Sequence, residues 1–204
     1  MSEFTREDIE ITRRDTLFQG FYRVDKFWLR HRQFAGVMGP EITREMFVRP
    51  PAVGVVLYDA PADQVLLIEQ FRVGAIENAH PWQYEVVAGL IEPGESQVEV
   101  AVRETLEEAG VAIAAEDLER VFEFMPSAGG SDERFALYAA PADLSQAGGV
   151  HGVPEEGEDI RVNVFSLNHA LQLVSNGRIN NAPCILALQW LALNKTRLQK
   201  KWAR

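Results

Sequence analysis

Glu104, Glu107 and Glu108 carry the chemistry that this sequence offers most plainly. On a helix, residues four apart lie one above the other, so Glu104 and Glu108 stack, with Glu107 beside them. Like charges at that spacing repel, and a bare helix gains nothing from them. A bound cation removes the repulsion. Ions that take carboxylate oxygens together with water and substrate phosphates are hard and divalent, magnesium above all. A solvated acidic face is the ordinary reading of a glutamate-rich helix, so the flanking residues matter. Ser96 and Glu99 make an S-x-x-E capping box that starts the helix at Ser96. Gly110 supplies a left-handed C-cap. Placed at about 100° per residue, Val98, Ala101, Val102, Thr105 and Ala109 share one narrow face that should be buried, with the glutamates on a different face. Ahead of the helix, Ala88-Gly89 allows the backbone to approach a ligand closely, or simply makes a tight turn.

The run from Gly89 to Val111 resembles the Nudix box: a glycine, a spaced glutamate, then Arg-Glu-aliphatic-x-Glu-Glu-x-Gly-aliphatic. Gly89, Glu95, Arg103, Glu104, Glu107, Glu108, Gly110 and Val111 fill its fixed positions. Thr105 stands where the family usually has an aliphatic residue; it lies on the expected buried face, so it implies a packing difference and not a lost ligand. The resemblance implies a magnesium-dependent (or manganese-dependent) hydrolase with two or three ions per site. The ligands it implies are the Ala88 carbonyl, Glu104 and Glu108, with Glu107 as a catalytic candidate on the same helix. Glu95 and Arg103 are expected to brace the turn and the helix.

A second acidic group, Glu155-Glu156-Gly157-Glu158-Asp159, ends a glycine-rich loop over 141–158. Acidic loops are commonly just solvated. Here His151-Gly152 and Glu158-Asp159-Ile160-Arg161-Val162 resemble the matching segment of bacterial ADP-ribose pyrophosphatases within the Nudix family. That likeness implies Glu156 as the residue that orients or deprotonates water and Glu158 as a further metal ligand. A loop that closes on substrate can deliver a base and exclude bulk water. Leu67-Ile-Glu-Gln-Phe-Arg, Pro81-Trp, the Ser127–Arg134 loop and Ala187-Leu-Gln-Trp-Leu extend the resemblance over most of the chain. On it, Phe21 is expected to stack on an adenine, and Arg44 and Arg72 to contact phosphate or ribose-phosphate oxygens, which suit a guanidinium fork. Glu45, Glu85, Leu90 and Glu133 complete the candidate substrate positions. The implied reaction splits ADP-ribose into AMP and ribose 5-phosphate. The alternatives are another nucleoside diphosphate sugar such as GDP-mannose, or a nucleotide sensor that binds without cutting.

The net charge of -10 argues against a general nucleic-acid or anionic-membrane binder. The one cysteine, Cys184, excludes an intramolecular disulfide and reads as a buried thiol in a reducing compartment. The N-terminus has no hydrophobic signal core, and no apolar run would span a bilayer, so a cytoplasmic protein is expected. His80 and His169 fit no metal spacing and are taken as structural.

These residues need a frame. Residues 1–48 alternate apolar and polar as half-buried strands do, and Pro50-Pro51 marks a break. So small a sheet must pack on the rest of the chain or on a second subunit. A β subdomain over 1–48, for dimerisation and substrate contacts, and a hydrolase domain over 49–204 are expected; the resemblance implies a homodimer. Strand runs lie at Val53–Tyr58, Val65–Phe71, Tyr84–Ala88, Val121–Met125, Phe135–Ala140 and Ile160–Phe165. Asn168 is placed as the cap of a helix over His169–Ser175, and Asn181 as the cap of a last helix running near Lys200. Strands around a central helix, with helices at the end, make a mixed α/β sandwich. The resemblance implies the same α/β/α architecture with a mixed sheet, plus the N-terminal antiparallel β subdomain.

Overall fold

The computed structural model describes residues 4–203, apart from the side chain of Glu156. The chain divides into two compact units, Met1–Pro50 with Met125–Glu133, and Pro51–Phe124 with Arg134–Arg204.

In the first unit β1 (Ile9–Gln19), β2 (Arg23–His31) and β3 (Ile42–Val48) form an antiparallel sheet in chain order. Almost all of β1 is exposed, and the buried centre is polar. Asp25 is sealed from solvent and accepts from Arg14 Nε at 2.8 Å and Thr16 Oγ1 at 2.9 Å, with Arg23 Nε at 3.2 Å. Those partners are what make a buried carboxylate tolerable. Hydrogen bonds and an ion pair tie the Met125–Glu133 segment into this unit. The Phe47 N–H donates to the Gly130 carbonyl at 2.8 Å, and the Arg49 N–H donates to Asp132 Oδ1 at 2.9 Å.

The second unit is built on an eight-stranded mixed sheet. Its strands are β4 (Ala52–Asp59), β5 (Gln64–Phe71), β6 (Trp82–Glu85), β7 (Val87–Leu90), β8 (Glu119–Phe124), β9 (Phe135–Pro141), β10 (Val150–His151) and β11 (Ile160–Ser166). The order is β10-β11-β5-β4-β9-β8, with β6 beside β5 and β7 beside β4. Only β4 and β9 run parallel. Every residue of β4 is buried, because both its faces are covered. Side chains alternate across a strand. Val53, Val55 and Leu57 therefore join Val100, Ala101 and Ala109 of α1 (Gln97–Ala109). Ala52, Val56 and Tyr58 join Cys184, Leu188 and Leu191 of α3 (Ala182–Trp202) on the other face. The helix α2 (Leu167–Ser175) adds Leu167 and Ala170 to the α3 side. Helices on both faces of a mixed sheet give the α/β/α sandwich.

Two expectations are corrected. The cap of α2 is Ser166, not Asn168: its Oγ accepts from the His169 N–H at 3.2 Å, and the earlier start lets Leu167 enter the core at 2% exposure. On α1, Val98 and Val102 are only half-buried, while Val100 and Glu108 are buried. The helix is rolled towards its carboxylates, so its buried stripe is not the one the valines alone would choose. Asn181 does cap α3, with its Oδ1 accepting from the Cys184 N–H at 3.1 Å. Among the described residues no helix is long and apolar enough to cross a membrane.

Candidate active site

The strand β7 runs antiparallel to β4, with Ala88 opposite Gly54 and Gly89 opposite Val53. The chain then turns and enters α1 through Ser96, whose Oγ accepts from the Glu99 N–H at 3.2 Å while Glu99 Oε2 accepts from the Ser96 N–H at 2.9 Å. The capping box is thus complete, and Gly110 closes the helix at φ +64°. Between these fixed ends α1 lies against β7. A Cβ on Gly89 would collide with the Glu104 carboxylate. Glycine is needed here for a helix carboxylate to rest on strand backbone.

Glu108 is the centre of the arrangement. It is 2% exposed, and its Oε2 accepts from the Ala88 N–H at 3.0 Å. Burial pushes its carboxyl up to about 8, against the pull of that hydrogen bond; the charges of Glu104 and Glu158 add to the rise and that of Arg72 opposes it. Burial also raises the Glu104 carboxyl, opposed by Arg103 and reinforced by Glu107 and Glu158. Arg103 is shared: its Nη1 lies 2.9 Å from Glu104 Oε1 and 2.8 Å from Glu107 Oε2, and its Nη2 lies 3.7 Å from Glu95 Oε1. Glu158 Oε2 accepts from the Val153 N–H at 2.9 Å. Arg72 pairs with Glu85, Nη2 to Oε2 at 2.8 Å.

Glu108 therefore feels the charges of Glu104 and Glu158, and Glu104 that of Glu158, around the Ala88-Gly89 backbone. Among the described residues no three acidic, histidine or cysteine side chains already converge as a metal cage. Each carboxylate leans instead on a protein donor: Arg103, the Ala88 N–H and the Val153 N–H. The donor set fits a hard divalent cation. It is all oxygen, it includes a buried carboxylate whose charge a cation would offset, and Gly89 leaves the Glu104 carboxylate room against the strand backbone. Glu156, the expected base, lies outside the described side chains.

The model of the NUDIX domain family matches residues 48–197. The chain belongs to the Nudix family. Over 201 residues, 98% of this chain and 95% of the other, it is 43% identical to the ADP-ribose pyrophosphatase of Escherichia coli K12. It is 38% identical over 208 residues, covering 100% of this chain and 95% of the other, to the ADP-ribose pyrophosphatase of Haemophilus influenzae. A crystal structure of an ADP compounds hydrolase superposes with a TM-score of 0.67 at 21% identity, covering 93% of this chain and 97% of that one. That last likeness is one of fold.

The remaining candidates of this Nudix chain are spread more widely. Leu90 ends β7 and packs with the α3-side cluster. In the first unit Phe21 is 83% exposed, with its ring edge-on to Tyr22 at 4.8 Å. Arg44 and Glu45 sit exposed on β3. Glu133 accepts from Arg49 Nη1 at 3.2 Å, and Arg49 also lies over the Tyr22 ring at 5.1 Å. Arg49 escaped the sequence reading, although an arginine beside the Pro50-Pro51 break could have flagged it. So did Glu69, 7% exposed, which binds Arg161 and also Arg178 Nη2 at 3.0 Å. A lone glutamate within the apolar Val65–Phe71 strand must find cations if buried, and that was the available signal. A cleft of about 560 Å³ opens beside this trio and Trp82, and it contains none of the Nudix box carboxylates. Cys184 is wholly buried, and burial pushes its thiol up, as expected for an inert one.

Proposed function

We propose that this chain hydrolyses the diphosphate of ADP-ribose, with water as co-substrate, to AMP and ribose 5-phosphate. The observation that carries the reading is the near full-length identity to two proteins named ADP-ribose pyrophosphatase. The buried, mutually repelling carboxylates at Ala88-Gly89 support it. Glu104, Glu108, Glu158 and the Ala88 carbonyl would hold two or three divalent cations, Mg2+ or Mn2+. Such ions neutralise charge on the phosphoryl oxygens and lower the pKa of the attacking water. Glu156 takes the proton from that water, with Glu107 as the second candidate for this work. Arg72, already oriented by Glu85, contacts a phosphate. Arg103 draws three box glutamates into one network.

Residues 1–48 serve as the dimerisation and substrate-contact subdomain, and 49–204 as the hydrolase domain. Phe21 stacks on the adenine; Arg44, Glu45, Leu90, Glu85 and Glu133 are further substrate contacts. The working form is a cytoplasmic homodimer that does not bind nucleic acid.

The test is a panel containing ADP-ribose, GDP-mannose and related nucleoside diphosphates, incubated with and without Mg2+ or Mn2+, with products separated. ADP-ribose should give AMP only with the cation. Faster cleavage of GDP-mannose would move the substrate assignment, and no AMP under any condition would favour a sensor. Light scattering reads the dimer directly.

A further inference from the structure

The side chains assigned to water and metal on this chain are divided between a helix and a loop. A loop places a catalytic group only if something rigid holds its ends. Downstream, Arg161 of β11 binds Glu69 of β5, and Arg178, in the turn after α2, also binds Glu69. Upstream, His151 and Gly152 both meet the C-terminal end of α1. The Gly152 N–H donates to the Glu107 carbonyl at 3.1 Å. That carbonyl is one of the last four of the helix, which lack partners within it. A Cβ built on Gly110 would come within 2.5 Å of His151 Cε1 and 3.1 Å of its Nδ1, so the imidazole occupies the place a side chain would need. The ring is itself fixed, with Nε2 2.8 Å from the Gly148 carbonyl. A carbonyl only accepts, so Nε2 carries the hydrogen. In β10, His151 also pairs with Ile160. Beyond the anchor the loop closes on itself: the Val153 N–H donates to Glu158 Oε2 at 2.9 Å, and the Glu158 N–H donates to the Val153 carbonyl at 3.3 Å.

We propose that His151 is a positioning residue for the hydrolysis: seated on Gly110, its ring holds Gly152 to the Glu107 carbonyl and so sets where the loop, and Glu158 with it, stands relative to Glu104 and Glu108. The last glycine of the box then has two duties. It allows the left-handed turn that ends α1, and it leaves the seat for the imidazole. Glu107, Gly110, His151 and Gly152 thus join the helix that carries two metal-candidate carboxylates to the loop that carries the third. The inference takes its account of Glu156 and Glu158 from the function proposed above.

The full chain tests it. His151→Ala should lower kcat on ADP-ribose about tenfold, the scale of a small misplacement of a catalytic group. KM should stay within about twofold, because uniform substrate binding is untouched. His151→Gln, which can return an N–H to the Gly148 carbonyl, should recover most of the loss. Amide exchange needs no turnover: Gly152 should exchange about tenfold faster in His151→Ala and return towards normal in His151→Gln. The proposal is overturned by a kcat within about twofold of the unsubstituted protein, by unchanged Gly152 exchange, by a glutamine variant as impaired as alanine, or by an activity loss matched by lost folded fraction. If the unsubstituted protein releases no AMP from ADP-ribose, the functional reading falls alone, and the exchange measurement still decides the anchor.

Discussion

The helices α1 and α3 cover opposite faces of one sheet with different chemistry. The α3 face offers Cys184, Ala187, Leu188, Leu191, Leu198 and Trp202, and buries them all. The α1 face buries Val100, Ala101 and Ala109, but between them it also buries Thr105 and Glu108. The first face is what the hydrophobic effect would build if left alone. The second gives up some of that gain to keep a carboxylate out of water beside a strand backbone. One side of the sheet stabilises the fold, and the other uses that stability to hold charges that would rather separate.

The comparison is broken most severely at Glu108. Glu108→Gln should cut turnover roughly a thousandfold, the scale of losing a fixed electrostatic group from an active site, yet raise the melting temperature of the metal-free protein. Kinetics and thermal melting with and without Mg2+ read both halves; near-normal turnover would remove Glu108 from the metal site. On the other face, Leu188→Ala should cost about 2–5 kcal/mol by denaturant unfolding, with kcat per folded molecule unchanged. If its kcat fell as far as its stability, the division of labour between the faces would be wrong.

Gly89→Ala probes the contact between the two elements of the site. Its Cβ must displace the Glu104 carboxylate, so kcat should fall about tenfold or more, with a smaller loss of stability. The pH response follows from Glu108. Its carboxyl stands at about 8 when folded, against an ordinary value of 4.5. Below the lower value it is protonated in both states and costs nothing. Between the two, only the folded state keeps the proton, so stability falls as pH rises and the loss is complete above the folded value. Denaturation midpoints of metal-free protein should therefore drop between about pH 5 and about pH 8, and Glu108→Gln should flatten that slope. An added divalent cation should reverse the drop at the upper end, since its ligands must be deprotonated. The smallest effect is expected at Thr105, whose Oγ1 donates to the Ala101 carbonyl at 2.7 Å inside the helix. Thr105→Val should change stability by about 1 kcal/mol or less.

The ends of elements were legible where a cap is a single residue type at a fixed offset. Ser96 with Glu99, Gly110 and Asn181 all cap as their types suggest. Asn168 misled because Ser166, two residues earlier, is as good a cap, and only the core pocket for Leu167 chooses between them. Most strands were legible from their apolar runs, but the single run expected over Tyr84–Ala88 is split at Val86 between β6 on β5 and β7 on β4, and the two residues of β10 carry no periodic signal. The box glutamates were legible as neighbours on one side of a capped helix. The burial of Glu108 was not, because hydrophobic periodicity weights the valines and takes no account of a carboxylate that accepts from a strand N–H. The Glu69 network was hidden for the same reason: its partners, Arg161 and Arg178, are remote in sequence.

The first unit takes in Met125–Glu133 from the middle of the sequence, between β8 and β9. A truncation at Pro50 would therefore not excise a self-contained module. It would leave behind Gly130 and Asp132, which answer the Phe47 and Arg49 amides, stripped of their partners. An N-terminally shortened protein would carry a raw edge into every assay, and a chimera grafting this sheet onto another scaffold must bring both pieces or lose the join.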